Sequence, residues 1–416
     1  MFQDFAAYHQ APYALWQEAA AGRGVHWRED FFGGAWVVSD YALCEQVLRD
    51  AQRFSAARTG GWVGSVSDPD ETAAEAGASR GHQAFQRLFA RAMLFVDAPQ
   101  HQRLRGIMQP FFKPSELENL RAYIEQTVAE RCAAVEASAP AAQPFDWIAH
   151  FARPLPAAVI VRFLGLQDVH EAEHAQFMQW SRDLAVFIGL PLADKSHWRA
   201  AQRSIMQMAA FFSRAFTQGR VAAGSLLARL AQAQAEGDID EAELIAQSAM
   251  LLFAGHETTR HLLGTGVLRL LENPAQWQLL QTQPALAANA VRELLRYEPP
   301  VQYTGRRARA DFEFAGQAIK RNDLVLACIA AAHRDAQRYP QAEQLDIARS
   351  SVASLAFGSG AHVCIGAALT QMEAEITLTH ISQRWPQLRL AATAASADWD
   401  HSNLAYRGLN TLLLVR

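Results

Sequence analysis

Apolar positions recur at helical spacing along most of the chain, and only short stretches alternate in the manner of strands. The spacing predicts helices over residues 11–21, about 40–49, 115–136, 147–166, 170–187, 195–218, 241–272 and 365–384. Asp238 or Asp240 caps the longest of these. Its first turn carries Glu241 and Glu243, which suit the helix dipole, and Asn273-Pro274 stops it. Ser39-Asp40 caps the helix ending near Arg49, and Ser115 with Glu118 reads as a capping box. Ala139 to Pro144 is a break, and Pro154 and Pro156 imply a bend inside 147–166. Ala35–Val38 reads as a short strand. Residues 300–330 read as further strands, with Phe312 and Phe314 alternating and Lys320-Arg321-Asn322-Asp323 as a hairpin turn. Residues 388–416 read as short strands around a loop near Tyr406. From Ala57 to about Arg91 the pattern lapses into a long glycine- and alanine-rich segment, a length that points to a functional or mobile loop. The pattern is that of a mainly α protein with a small β region.

Half of the 416 residues are hydrophobic and 19% are charged, ample material for a large core. The net charge of −4 argues against a nucleic-acid binder. No window approaches 18 uninterrupted apolar residues and Met1–Gln10 lacks an apolar run, so neither a membrane span nor a signal peptide is expected. The cysteines at 44, 132, 328 and 364 form no metal-binding spacing and read as reduced thiols of a cytoplasmic protein.

Candidate chemistry concentrates in a few short stretches. In Phe357-Gly358-Ser359-Gly360-Ala361-His362-Val363-Cys364-Ile365-Gly366, the glycines let backbone approach something flat, and Cys364 falls where a loop becomes a helix. Free backbone N–H groups and the helix dipole there favour a thiolate. Such a loop suits a cysteine axial ligand to haem iron. A small buried thiol, or a cysteine nucleophile with His362 as base, are the competing readings. The second stretch is Ala254-Gly255-His256-Glu257-Thr258-Thr259, in an apolar part of the longest helix, where the threonines compete for backbone carbonyls and a broken ladder would open a groove. It begins like the zinc-peptidase motif, but Arg260 stands where the second histidine belongs, and His261 lies about 140° further round the helix. Around Pro99, His101 and Arg105 share a face that needs an anion, while Arg103 points elsewhere. Glu293 and Arg296 are spaced to pair on one helix.

Taken together, these strings resemble those of the cytochrome P450 monooxygenases, especially the soluble bacterial members. The stretch 357–366 matches the family's haem-binding signature, and 254–259 matches its oxygen-handling string Ala-Gly-x-Glu-Thr-Thr. Residues 97–105 match its Asp-x-Pro-x-His-x-Arg-Leu-Arg pattern, and 293–296 its Glu-x-x-Arg pair. The resemblance implies one domain over 1–416, with haem b between the long helix and the Cys364 loop. It implies Cys364 as iron ligand, and Glu257 and Thr258 as the acid and alcohol that relay protons. Haem contacts would come from His101, Arg105, Arg306, His362, Ala254, Gly255, Phe357, Gly358 and Gly366, with Arg307 the fallback if the register at Arg306 is off by one. Arg349 would join Glu293 and Arg296 as a third structural partner, although Ala336 and Gln341-Ala342-Glu343 depart from the family pattern between them. The paired helices 170–187 and 195–218 would cover the substrate channel, with Gly189-Leu190-Pro191 as hinge. Phe85, Phe89, Leu94, Phe187, Met250, Phe253, Val301 and Tyr406 would line a pocket for a hydrophobic small molecule, free or tethered to a carrier. The implied reaction inserts one atom of dioxygen into a C–H bond. Electrons would come from NAD(P)H through a reductase and a ferredoxin or flavodoxin, for which Arg103 and Lys113 are candidate surface contacts. The expected protein is a cytoplasmic monomer of secondary metabolism. A peroxide-driven peroxygenase and a non-catalytic haem sensor are the alternatives.

Overall fold

The computed structural model describes Tyr13, Trp16, residues 24–57 except 30, 88, 90–189, 195–350, 353–392 and 396–416. The fold is built around the helix Glu241–Glu272. A reciprocal capping box starts it: Glu243 N donates to the Asp240 carboxylate at 2.8 Å, and Asp240 N donates to the Glu243 carboxylate at 3.0 Å. Asp240, not Asp238, is therefore the cap. Pro274 opens the next helix, Pro274–Thr282. Around the long helix pack Pro154–Leu164, Glu171–Gly189, Lys195–Thr217, Ala287–Tyr297 and Ala367–Arg384.

Strands gather at the margins. One sheet runs Val25–Arg28, Ala35–Val38, Leu324–Ala327, Thr304–Ala308, Phe54–Ser55, with a single parallel pairing between Ala35–Val38 and Leu324–Ala327. A second places Leu409–Val415 between Ala397–Trp399 and Phe145–Asp146. Among the described residues, no helix is long and apolar enough to cross a membrane.

Four local expectations are corrected. The helix expected from Ser115 begins at Pro114 with Lys113 as its cap, and no side chain caps it, because Glu118 is drawn to Arg121 instead. Residues 147–166 are not one helix: Ile148–Ala152 form a wide π turn before Pro154 opens the helix to Leu164. Phe312–Phe314 pairs with Gln317–Ile319 through a turn at Ala315-Gly316, both at positive φ, so Lys320–Asp323 is the following turn. Arg103 is not a free surface cation, since it forms an ion pair with Glu243 and donates to the Asp238 carbonyl.

Glu293 and Arg296 are both fully buried and paired at 2.7 and 2.8 Å. Arg296 also donates to the carbonyls of His333, Ala342 and Gln344, and Arg349 completes the group at 3.2 Å from Glu293. One charge network thus pins helix Ala287–Tyr297 to the irregular segment 333–349, despite the departures from the family pattern there.

Glu373, on Ala367–Arg384, is the opposite case: 2% exposed, with one carboxyl oxygen lacking any hydrogen-bond partner. Burial alone pushes its carboxyl well above the ordinary 4.5. The folded state therefore binds this proton more tightly than the unfolded chain, and stability is lost as pH rises from about 4.5 through the folded value. Glu373→Gln removes that loss. Its unfolding midpoint relative to the parent is expected to climb between pH 5 and pH 8, and a pH-independent difference would contradict the assignment.

Candidate active site

The cysteine loop is closed on itself and docked. Cys364 N donates to the Phe357 carbonyl at 2.8 Å, with Gly358 and Gly360 at φ +73° and +75° between them. A Cβ at Gly360 would sit 2.9 Å from the Arg49 Cα, so glycine lets this loop lie against helix Tyr41–Arg49. The Cys364 thiol is open to solvent-sized molecules yet lies deep in the protein, as on an inward-facing surface. Burial pushes this thiol up; the N–H groups of Gly366 and Ala367 and the Arg105 charge offset it only in part. The loop-to-helix position alone, which favoured a thiolate in the sequence, does not outweigh desolvation. A nearby cation such as iron is what would ionise this sulfur. A Cβ at Gly366 would lie 4.0 Å from that sulfur.

Opposite stands the middle of the long helix. Ala254 is exposed although its neighbours Leu252 and Phe253 are buried, and Gly255 and Thr258 are half-exposed beside it. Gly255 admits Ile160, whose Cδ1 would be 2.5 Å from an added Cβ. Thr258 Oγ1 donates to the Ala254 carbonyl at 3.2 Å, and Thr259 Oγ1 lies 3.2 Å from Thr370 Oγ1 on the helix that follows Cys364. This contact sets the two motifs face to face. The helix stays continuous through the stretch, so the expected break in its ladder is absent and small side chains alone make the groove.

Glu257 does not share that open wall. It is buried behind it, with Arg260 Nη2 donating to Oε1 at 2.5 Å, His261 Nε2 at 3.4 Å and His256 Nδ1 at 3.6 Å from Oε2. Burial opposes its ionisation, but the charge of Arg260 and the bond from His261 hold its carboxyl well below the usual range. Arg260, His261 and Asp400 were not singled out in the sequence. The i,i+3 and i,i+4 spacing from Glu257 was the available signal; Asp400 had none.

The cationic residues fit a bound anion. Arg306 is 6% exposed, its guanidinium donates only to the Gly305 carbonyl, and burial pulls it down to about 10. No carboxylate pairs with it among the described residues. Such a desolvated, unpaired arginine calls for an acidic ligand. Arg307 is instead half-buried and donates to the Asn322 carbonyl, which fixes the register on Arg306. His101 is buried with Nε2 unpartnered, and its ring lies 4.0 Å from that of His362. Arg105 donates to the Val363 carbonyl at 2.8 Å. Two propionates and a planar macrocycle suit this set of donors.

Of the expected pocket residues, Phe187, Met250, Phe253 and Tyr406 share one buried cluster, with Leu94 and Val301 packed against it. Tyr406 pairs with Val301 as an isolated bridge, and its ring meets that of Phe253 edge-on at 6.4 Å. Phe85 and Phe89 lie outside the described residues, as do Leu190 and Pro191 of the expected hinge. Gly189 accepts from Tyr303 at 3.1 Å and is wedged against Asn403.

An α-rich fold with an inward cysteine facing a small-residue helix surface, flanked by unpaired cations, defines a haem-thiolate enzyme. The family model of Cytochrome P450 matches residues 64–283 and 275–387. The chain is 35% identical over 325 residues to cytochrome P450 CYP107DY1 of Priestia megaterium, covering 78% of this chain and 76% of that one. It is 33% identical to the cytochrome P450 monooxygenase PikC of Streptomyces venezuelae, covering 99% and 91%. P450BioI, solved in complex with hexadec-9Z-enoic acid ligated acyl carrier protein, superposes with a TM-score of 0.85 at 27% identity over 99% of both chains. The chain belongs to the cytochrome P450 family. It is a monooxygenase of that family.

Proposed function

We propose that this enzyme inserts one atom of dioxygen into a C–H bond of a medium-sized hydrophobic molecule, using electrons passed from NAD(P)H by a separate reductase and a ferredoxin or flavodoxin. The observation that carries this reading is the inward-facing Cys364 thiol set opposite Ala254 and Thr258. A bound haem supplies dioxygen binding and O–O cleavage, favoured by electron density from the thiolate.

The chain's own residues do the rest. Cys364 is the axial ligand, steadied by the Gly366 and Ala367 N–H groups. His101, Arg105 and Arg306 receive the propionates, and the His362 ring packs on His101. Phe357, Gly358 and Gly366 leave the loop flat against the macrocycle. Ala254 and Gly255 keep its other face clear for a small gas molecule. The Thr258 hydroxyl, on the open wall, passes protons supplied by Glu257 behind it. The apolar cluster around Phe253 and Tyr406 excludes water and holds the substrate by contact area. A substrate carried on an acyl carrier protein is a second form of the same reading, prompted by the complex in which P450BioI was solved. The relatives place the enzyme in secondary metabolism, as a cytoplasmic monomer.

Reconstitution tests the reading. Product is expected with NAD(P)H and redox partners and not with hydrogen peroxide alone; the reverse would make the protein a peroxygenase, and no product in either case would favour a sensor. Thr258→Ala is expected to lower product per NAD(P)H by about tenfold or more while peroxide accumulates. Unchanged coupling would remove Thr258 from the mechanism.

A further inference from the structure

The two oxygens of Glu257 have different surroundings. Oε1 accepts from Arg260 at 2.5 Å and lies 3.4 Å from His261. Arg260 is fixed from behind, donating to the Leu409 carbonyl at 3.1 Å with Asp400 at 4.0 Å. His261 is boxed in by Gly408, where an added Cβ would stand 1.5 Å from Nδ1. One side of the carboxylate is thus clamped to the C-terminal strand Leu409–Val415. Oε2 has a looser neighbour, His256 Nδ1 at 3.6 Å.

His256 is an anomaly as a core residue. It is 3% exposed, and neither ring nitrogen has a hydrogen-bond partner among the described residues. Buried polar groups are ordinarily satisfied, and each exception asks for an explanation such as a water or a functional role. Burial holds the ring neutral, pulling it down to about 4. Neutrality is no obstacle to relay, because a neutral imidazole takes a proton at one nitrogen as it releases one from the other.

We propose that His256 supplies protons to Oε2 of Glu257 from a water at its Nε2, while Arg260 and His261 hold Oε1 in place. In this step the Nδ1–H bond breaks as the Oε2–H bond forms. Nε2 takes a proton from the water, and the ring ends neutral in its other tautomer. The ring regains its starting tautomer by exchange with water before the next transfer. His256, Arg260 and His261 act through Glu257 and are positioning residues. The inference rests on the reading of Glu257 as the acid serving Thr258.

The test compares His256→Leu, His256→Gln and Glu257→Gln in the haem-loaded enzyme with its redox partners. His256→Leu is expected to keep the red-shifted CO-ferrous Soret band and the unfolding midpoint. It is expected to lower product per NAD(P)H roughly tenfold and to raise the solvent isotope effect. His256→Gln, which can still order a water, should fall between Leu and the parent. In the haem-free protein, the midpoint shifts of His256→Leu and Glu257→Gln should be non-additive, since the two groups are neighbours. If Glu257→Gln leaves coupling intact, the underlying reading fails and this proposal with it. If Glu257→Gln is impaired while both His256 variants match the parent, only the proposal is overturned. Loss of the Soret band in both His256 variants would make the residue structural and overturn it as well.

Discussion

Cys364→Ala is expected to yield a folded protein without the red-shifted CO-ferrous Soret band. Of the chain's four cysteines this one alone is open, whereas Cys44, Cys132 and Cys328 are buried. Burial pushes Cys132 up to about 12 and Cys44 well above its ordinary range, so neither offers a thiolate. Cys44 is further occupied in donating to the Val38 carbonyl at 3.1 Å. Cys328→Ala serves as the control and should keep the band. A Cys364→Ala protein that retained it would refute the ligand assignment, and with it the proposed oxygen chemistry.

Truncating Glu293 or Arg296 to alanine is expected to cost about 3–5 kcal/mol of stability, since each leaves its partner charged and stranded in the core. The penalty here is not softened by water, because both side chains are 0% exposed and the remaining donors of Arg296 are fixed on carbonyls. Denaturant midpoints measure it. Glu136 and Arg384 make an equally short ion pair at 2.7 Å, but these side chains remain 30% and 37% exposed. Their truncation should cost no more than about 1 kcal/mol. Equal losses at the two sites would show that the buried network does not hold the fold.

Helix periodicity was readable wherever capping chemistry was local. Asp240 and Glu243 carry the start of the long helix in four consecutive residues, and Pro274 its end, so the predicted bounds 241–272 are those observed. Reading failed where a distant or competing partner intervened. Glu118 prefers Arg121 to capping, Arg103 finds Glu243 140 positions away, and the π turn at Ile148–Ala152 leaves no periodic trace in five residues.

The site divides in the same way. Cys364, Thr258, Arg306 and the buried pair at 293 and 296 are legible because fixed spacing on one element sets their neighbours. Composition and motif alone therefore determined the fold class, the enzyme family and the candidate ligand. What the chain could not disclose is which way Glu257 turns. That depends on Arg260 being anchored by Leu409, on Gly408 pressing against His261 and on Asp400 lying nearby, residues some 140 positions further on. Only tertiary packing decided it, because the energy of a buried charge is set by whatever surrounds it in space, and that neighbourhood has no signature along the sequence.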